Sequence, residues 1–466
     1  MSESIQFLQQ NLIKLARVWA SGRETDPAQA ADLRRRAILA NHRYYLEHIP
    51  VYSRLAAQQG IGPESGLQAI KSRLMLADSV FKGYDGRWLD EGDYGAMNRW
   101  LSCIYHHPVE FDTSGIETVD DWLNALSAAG IRVAFSSGTS GVLSFVPRSR
   151  EDMTVARAAN ACCLPALVGR KQGGKSAVRW LKPLLSFISP QDMMSMVVKA
   201  GIRGFDAVFL GFTSGGTGNQ LLMAELAPLF RRVHYLYDFN LSATALLAVR
   251  RGPRIEKERQ MAADFERVVV ENGQRAYAVL AENIRESAAD GQKVFIFGAP
   301  FQCLELCRQL SSRGAKIKLP GGSLALFGGG WKGFDGRAVG REELVSLLAD
   351  VLGLAPESVL EGFSMTEISL LTLRCDYGRF HLPPIIEPVF MDAELNPVDN
   401  PVGEAVLAFM DPLALSCPGF IITGDLVQPV SGRCDCGLDG PALNAIRRAG
   451  NQEIKGCGGV MGSIRA

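Results

Sequence analysis

The chain has 466 residues, with 49 basic and 49 acidic side chains that cancel to a formal net charge of zero. That balance removes the basic field needed for nonspecific nucleic-acid or acidic-membrane binding, so no nucleic-acid or membrane partner is expected. A charged fraction of 21% also excludes disorder of the whole chain and leaves a small molecule or a protein as the expected partner.

Residues 1–122 read as an N-terminal helical layer. Ile5, Leu8, Leu12, Leu15 and Val18 recur at helical spacing, unlike the continuous apolar region of a signal peptide. Polar breaks fall at 21–26 and 60–65. Even the apolar region 295–306 is interrupted by Gln302 and Glu305, so no membrane span is expected. Without an export signal, the ten cysteines should stay reduced in a cytoplasmic setting, free for packing, metal ligation or nucleophilic chemistry.

An apolar run at 131–135 leads into Ser136-Ser137-Gly138-Thr139-Ser140-Gly141. A second Gly-rich loop, 212–218, reads either as a pocket lining or as a turn. Residues 250–290 read as a pair of surface helices with Phe265, Val268, Val269 and Val270 as apolar anchors. A further apolar run, 294–297, runs into Gly298 and a helical pattern at 303–310, in which Cys303 and Cys307 share a core-facing side; adjacent Cys162 and Cys163 also read as core. Strand, turn and helix in succession predict an α/β core over 123–383. Short β-like runs punctuated by Pro and Gly predict a β-rich subdomain over 384–446, followed by a hinge-like tail at 447–466.

Three short motifs carry candidate chemistry. The loop 136–141 can turn backbone N–H groups and hydroxyls toward phosphate, because glycine permits close approach; no Gly-Lys-Ser or Gly-Lys-Thr closes it, which disfavours a P-loop NTPase. Thr366 and Glu367 set a hydroxyl beside a carboxylate, a pair able to hold a phosphate oxygen and its magnesium ion. Asp425 in Thr423-Gly424-Asp425 follows an apolar run and places a carboxylate at a strand end, where it can accept both hydroxyls of a ribose. Each motif alone also reads as an ordinary turn. Gly328, Gly330 and Gly333 match a bare G-x-G-x-x-G, but no helix-opening context or acidic partner supports a dinucleotide fold.

In this order the motifs resemble those of the adenylate-forming enzymes. The passages HRYYLEHIPVYSRL, GGGWKG and CDYGRFHLPP resemble in particular the phenylacetate-CoA ligases and the acyl-protein synthetases of bacterial luminescence. The resemblance implies that fold: a large α/β domain of mixed sheets flanked by helices, a small β-rich subdomain, and little or no C-terminal lid. It implies that a carboxylic acid, fatty or aromatic, attacks the α-phosphate of ATP to give an acyl-adenylate and pyrophosphate. Ser136, Ser137, Thr139 and Ser140, with Gly138 and Gly141 shaping the loop, would contact the β and γ phosphates. Thr366 would contact the α-phosphate, Glu367 the Mg²⁺, and Asp425 the ribose. Gly328, Gly329 and Gly330 would wall the adenine, and Arg447 and Arg448 resemble the hinge motif, with Arg448 on the nucleotide.

Cys375 and His381, with Cys434 and Cys436, offer three sulfurs and one imidazole, the ligand set of a closed structural zinc site; the alternative is four unrelated residues. Cys457, between small residues and near Lys455, is in a setting that favours a lowered thiol pKa. The family resemblance makes it a candidate acyl acceptor, against the alternative of a small residue in a tight turn. His106 and His107 read equally as surface or pocket-rim residues and as catalytic ones, and Lys332 reads more simply as a solvated lysine than as one reaching a carboxylate or phosphate. Fewer residues follow Asp425 than the family's lysine-bearing lid requires, so a lid-supplying or acyl-accepting partner protein is expected. Together these features predict an acid ligase that transfers its acyl group to a protein cysteine or a small amine, hydroxyl or thiol. An acyl- or aryl-CoA ligase completed by a separate lid and a noncatalytic nucleotide-binding scaffold are the alternatives.

Overall fold

The computed structural model describes residues 3–136, 142–171, 204–331 and 337–449. The chain forms two compact units: one from residues 1–134, 142–166 and 365–466, the other from 135–141 and 167–364. In the first of these units the β-rich C-terminal part is built onto the N-terminal helices.

In the first unit the helix Ile5–Ala20 starts where the Ser4 side chain accepts from the Phe7 N–H, and it buries Leu8, Leu12, Ile13, Ala16 and Trp19. The helix Pro27–His48 begins behind an Asp26 cap with proline in its first turn, and Pro50–Gln59 ends at Gly60, whose φ of 64° is the left-handed conformation suited to glycine. These stops match the polar breaks in the sequence. Five strands pair antiparallel in the order Phe380–His381, Ala442–Arg448, Phe420–Val430, Ala405–Met410, Glu387–Met391. A two-residue strand, Leu76–Ala77, adds in parallel beside Ile421 and Ile422. Every residue of Ala405–Met410 is buried, which explains why that run is apolar throughout instead of alternating. Gln9 and Asn41 each donate to the Pro412 carbonyl, tying the N-terminal helices to the C-terminal part of the chain.

The second unit is built on a parallel sheet in the order Arg232–Leu241, Phe205–Gly215, Lys293–Gly298, Leu324–Gly328, Val359–Phe363. Val208, Leu210, Val294, Ile296, Ala325 and Val359 form a core with the helices Gly273–Ala289, Pro300–Ser312 and Arg341–Leu352, and Cys303 and Cys307 lie within it as expected. The surface segment 250–290 differs from a plain helix pair. Between Glu256–Glu266 and Gly273–Ala289 lies a π-helical turn, Arg267–Glu271, closed by the Asn272 N–H donating to the Arg267 carbonyl. Its extra residue shifts the helical phase, so Val270 is 73% exposed instead of serving as an anchor. Among the described residues no helix is long and apolar enough to cross a membrane.

Candidate functional site

The strand Phe420–Val430 carries Thr423, Gly424 and Asp425. Antiparallel pairing sets Arg448 directly opposite Asp425, with Arg448 Nε 3.2 Å from Asp425 Oδ1. Strand alternation separates the two arginines: Arg447 engages Glu404 through Nε at 2.8 Å and Nη2 at 2.7 Å. Thr423 is an anchor, since its hydroxyl donates to the Leu407 carbonyl and accepts from the Asp425 N–H. At Gly424 a Cβ would stand 2.8 Å from Arg448 Nη1, so glycine leaves the guanidinium its place.

Thr366 and Glu367 occupy a turn in the same unit, with Thr366 half-buried. Glu367 is only 9% exposed, and its carboxylate has no hydrogen bond or ion pair to another described residue. Burial pushes this carboxyl up and the negative charge of Asp78 adds to the effect, while its own backbone N–H, Lys82 and Arg448 oppose it. Arg448 therefore acts electrostatically on both carboxylates, Glu367 and Asp425.

The backbone after Glu367 is held by side chains that the sequence did not single out. Arg148 Nη2 donates to the Glu367 carbonyl at 2.7 Å. Asn160 brackets the next residues, donating to the Ser369 carbonyl at 2.8 Å and accepting from the Leu371 N–H at 2.9 Å. Asp411 accepts from the Ser369 N–H at 2.9 Å. Behind Arg148, Asp152 Oδ2 lies 3.9 Å from Nη1 and accepts from Leu415 N, Ser416 N and Ser416 Oγ. The one local signal was an arginine ending a strand, Ser144–Arg148, in which every residue is buried. His106 joins this region structurally: its N–H donates to the Ser416 carbonyl and its Nδ1 lies 2.7 Å from the Tyr44 hydroxyl. Burial lowers its imidazole to about 4, so it is neutral near pH 7, and His107 is exposed.

Cys375, His381, Cys434 and Cys436 converge in the first unit, their donor atoms all within 4.8 Å of one another. Two loops of the same build deliver the sulfurs. The Cys375 N–H donates to the Arg379 carbonyl while Gly378 N–H donates back to the Cys375 carbonyl; Cys434 does the same with Leu438 and Gly437. Both glycines have positive φ, 79° and 84°, which closes each loop tightly around its cysteine. His381 comes from the short strand paired with Ala442–Arg448 and sets Nε2 3.3 Å from Cys436 Sγ, while the sulfurs of Cys375 and Cys434 are 3.9 Å apart. A tetrahedral zinc with bonds of about 2.3 Å puts neighbouring sulfurs roughly 3.8 Å apart, so spacing and donor softness both fit that ion. Burial pushes the Cys436 thiol up to about 12, and a bound cation is what would favour its thiolate.

The second unit contains the remaining candidates that can be described. Gly328 is paired with Gly362, and a Cβ there would stand 2.8 Å from the Gly362 carbonyl oxygen; Gly329 and Gly330 follow with φ of 84° and 70°. Ser136 ends the strand Arg132–Ser136, and the Phe135 N–H donates to the Gly216 carbonyl in the second Gly-rich loop. Ser137, Gly138, Thr139, Ser140, Gly141, Lys332 and Cys457 lie outside the described residues.

Comparison with known proteins bears on these same segments. The family model for "Acyl-protein synthetase, LuxE" matches residues 275–464. A "Long-chain-fatty-acid--luciferin-component ligase" of Aliivibrio fischeri is 26% identical over 174 residues, 37% of this chain and 46% of that protein. Its counterpart in Vibrio harveyi is 24% identical over 180 residues, 38% of this chain and 46% of that protein. The matches thus span just under half the length of these curated relatives. Among solved structures, an open conformation of 2-hydroxyisobutyryl-CoA ligase in complex with 2-HIB-AMP and CoA has a TM-score of 0.47 and 15% identity, covering 90% of this chain and 70% of that one. The matched segment 275–464 includes Gly328, Glu367, Asp425, Arg448 and the four-residue Cys/His cluster, and over that segment the chain resembles the acyl-protein synthetases.

Proposed function

We propose that this protein is an ATP-dependent acid ligase that forms an acyl-adenylate and passes the acyl group to a protein or other nucleophile. The observation that carries this reading is the nine-tenths buried Glu367 carboxylate, which has no ion pair or hydrogen bond to another residue among those described and is influenced by the same Arg448 that pairs with Asp425. A buried carboxylate and a cross-strand Asp–Arg pair, with Asp425 inside the strand Phe420–Val430 and not at its end, suit a metal-bound polyphosphate and a ribose.

In this reading Asp425 accepts from the ribose hydroxyls, Arg448 adds positive charge beside them, and the Thr366 hydroxyl donates to an α-phosphate oxygen. Glu367 would hold magnesium, which supplies neutralisation of charge on the phosphates. A carboxylate oxygen of the acid attacks the α-phosphorus as the bond to pyrophosphate breaks. A nucleophile then attacks the acyl carbon and AMP leaves. Holding the reactants in line is the main contribution of the chain's own residues. The names of the curated relatives support a long-chain fatty acid as the acid to test first. Cys457 is the candidate acyl acceptor within the chain, and the reduced thiols suit a cytoplasmic protein. The four Cys and His residues would hold a structural zinc with no open coordination position.

The test is acid-dependent pyrophosphate release with Mg²⁺ and ATP across fatty and aromatic acids, with hydroxylamine to trap the adenylate. Glu367→Gln should lower release by at least about tenfold with the fold intact. Equal turnover in the variant removes the role of Glu367, and silence of the wild type with every acid removes the reading.

A further inference from the structure

From Thr366 to Leu371 the backbone runs in turns and bends, outside any helix or strand. The turn at Glu367 is closed by the Ile368 N–H donating to the Met365 carbonyl at 3.3 Å. Side chains from three other parts of the first unit then hold the backbone in place of a ladder. Arg148, ending the strand Ser144–Arg148, takes the Glu367 carbonyl, and Asp411, following Ala405–Met410, takes the Ser369 N–H. Asn160, from the helix Arg150–Lys171, takes both the Ser369 carbonyl and the Leu371 N–H. Arg148 also pairs with Asp152, and Asp411 also accepts from the Leu413 N–H. Asn160 serves this segment more exclusively, since its further bond is a donation to the Ala156 carbonyl of its own helix at 2.9 Å.

Bonds of this kind satisfy buried backbone in any irregular segment. What sets this one apart is the group it carries, because the Glu367 carboxylate is nine-tenths buried and makes no hydrogen bond or ion pair to another described residue. A charge so placed is stabilised by swinging toward water, and a backbone fixed against rotation opposes that movement. We propose that Asn160 is a positioning residue for Glu367: by gripping the Ser369 carbonyl and the Leu371 N–H together, it fixes the turn that presents the carboxylate. This deepens the adenylation reading and rests on it for what Glu367 holds, Mg²⁺ with the phosphates of ATP. Asn160 itself touches no reactant.

The experiment compares the full-length wild type with Asn160→Leu, Asn160→Asp, Glu367→Gln and the double variant Asn160→Leu with Glu367→Gln. Pyrophosphate release is measured with Mg²⁺, ATP and acid varied separately, at a temperature where thermal unfolding shows every variant folded. Asn160→Leu, close to asparagine in size, should lower kcat by at least about tenfold and raise the Mg²⁺ concentration needed for half the maximal rate, with KM for the acid within about twofold. In the Glu367→Gln background the same substitution should have little further effect, because Asn160 acts through that carboxylate. Asn160→Asp keeps an acceptor for the Leu371 N–H but has no donor for the Ser369 carbonyl, so its loss should be intermediate. Wild-type kcat and Mg²⁺ dependence in Asn160→Leu, with or without a lower unfolding midpoint, overturn the proposal, as does an equal fold-loss in both backgrounds. If Asn160→Leu does not fold, Asn160→Asp alone and combined with Glu367→Gln decides by the same criteria. Wild-type turnover in Glu367→Gln removes the role of Glu367 and the proposal with it, a result distinct from a loss in Glu367→Gln without one in Asn160→Leu, which overturns the positioning role alone. If the wild type releases no pyrophosphate with any acid, adenylation fails and calorimetric binding of Mg²⁺-ATP decides. A Kd at least about fivefold weaker in Asn160→Leu, and no weaker still when Glu367→Gln is added, then supports the positioning role. An equal Kd, or no binding by the wild type, overturns it.

Discussion

Replacing Arg148 by methionine tests whether a buried cation holds the Glu367 turn. The arginine is 8% exposed and Asp152 4% exposed, so the substitution keeps much of the volume but strands a carboxylate in the interior. Removing one partner of a buried pair costs about 3–5 kcal/mol. Here the low end applies: Asp152 keeps its bonds from Leu415 N, Ser416 N and Ser416 Oγ, and the ion-pair distance of 3.9 Å is already long. The Glu367 carbonyl loses its donor, adding about 1 kcal/mol. A loss of roughly 3–4 kcal/mol at pH 7 is therefore expected from urea unfolding. Its pH dependence carries the sign. Burial already holds Asp152 above the ordinary carboxylate range, and losing Arg148 raises it further. A group raised in the folded state stabilises at low pH and loses that contribution as pH rises through its folded value, so the penalty of Arg148→Met should shrink on acidification. Adding Asp152→Asn should recover part of the stability at pH 7. A loss under about 1 kcal/mol, or one independent of pH, refutes the reasoning.

Three further outcomes are expected. Purified protein should carry about one zinc by elemental analysis, and Cys434→Ser should lose the metal and lower the unfolding midpoint; metal loss with an unchanged midpoint contradicts a structural role. Glu387, buried against Arg34 and Lys71, is pushed up by burial but held below its ordinary value by those two cations. It contributes stability above its unfolded value near 4.5 and loses it as pH falls toward its folded one, so Glu387→Gln should be less stable at pH 7 and flatten the acid limb of the unfolding profile. Gly424→Ala should displace Arg448 from Asp425, raising KM for ATP severalfold with little change in unfolding midpoint, because the methyl meets the far end of a flexible side chain.

Much of the local architecture could be read from spacing. Helical periodicity over residues 5–18 and the breaks at 21–26 and 60–65 correspond to capped helices, because capping is a short-range property of the chain. The cysteine loops were legible for the same reason: each carries its own glycine and its own pair of backbone bonds. Their convergence depends on strand pairing between Phe380–His381 and Ala442–Arg448, which no local pattern specifies. Arg148 and Asn160 meet residues 219 and 209 positions away, so their polar character could not be matched to partners in advance. Val270 was misjudged because a π turn changes phase without a clear mark in composition.

The way the first unit is assembled from distant pieces bears on the order of folding. Trp19 Nε1 donates to the Asp439 carbonyl across 420 residues, and Gln9 reaches Pro412 across 403. Closing such loops is entropically expensive and slow relative to local pairing. The parallel strands between 205 and 363 have partners much nearer in sequence, so this unit can form while the N-terminal helices still await the last strands. During synthesis the apolar faces of the first helices are therefore uncovered until residues 412–439 have been made, a period in which chaperone binding or aggregation competes with native assembly.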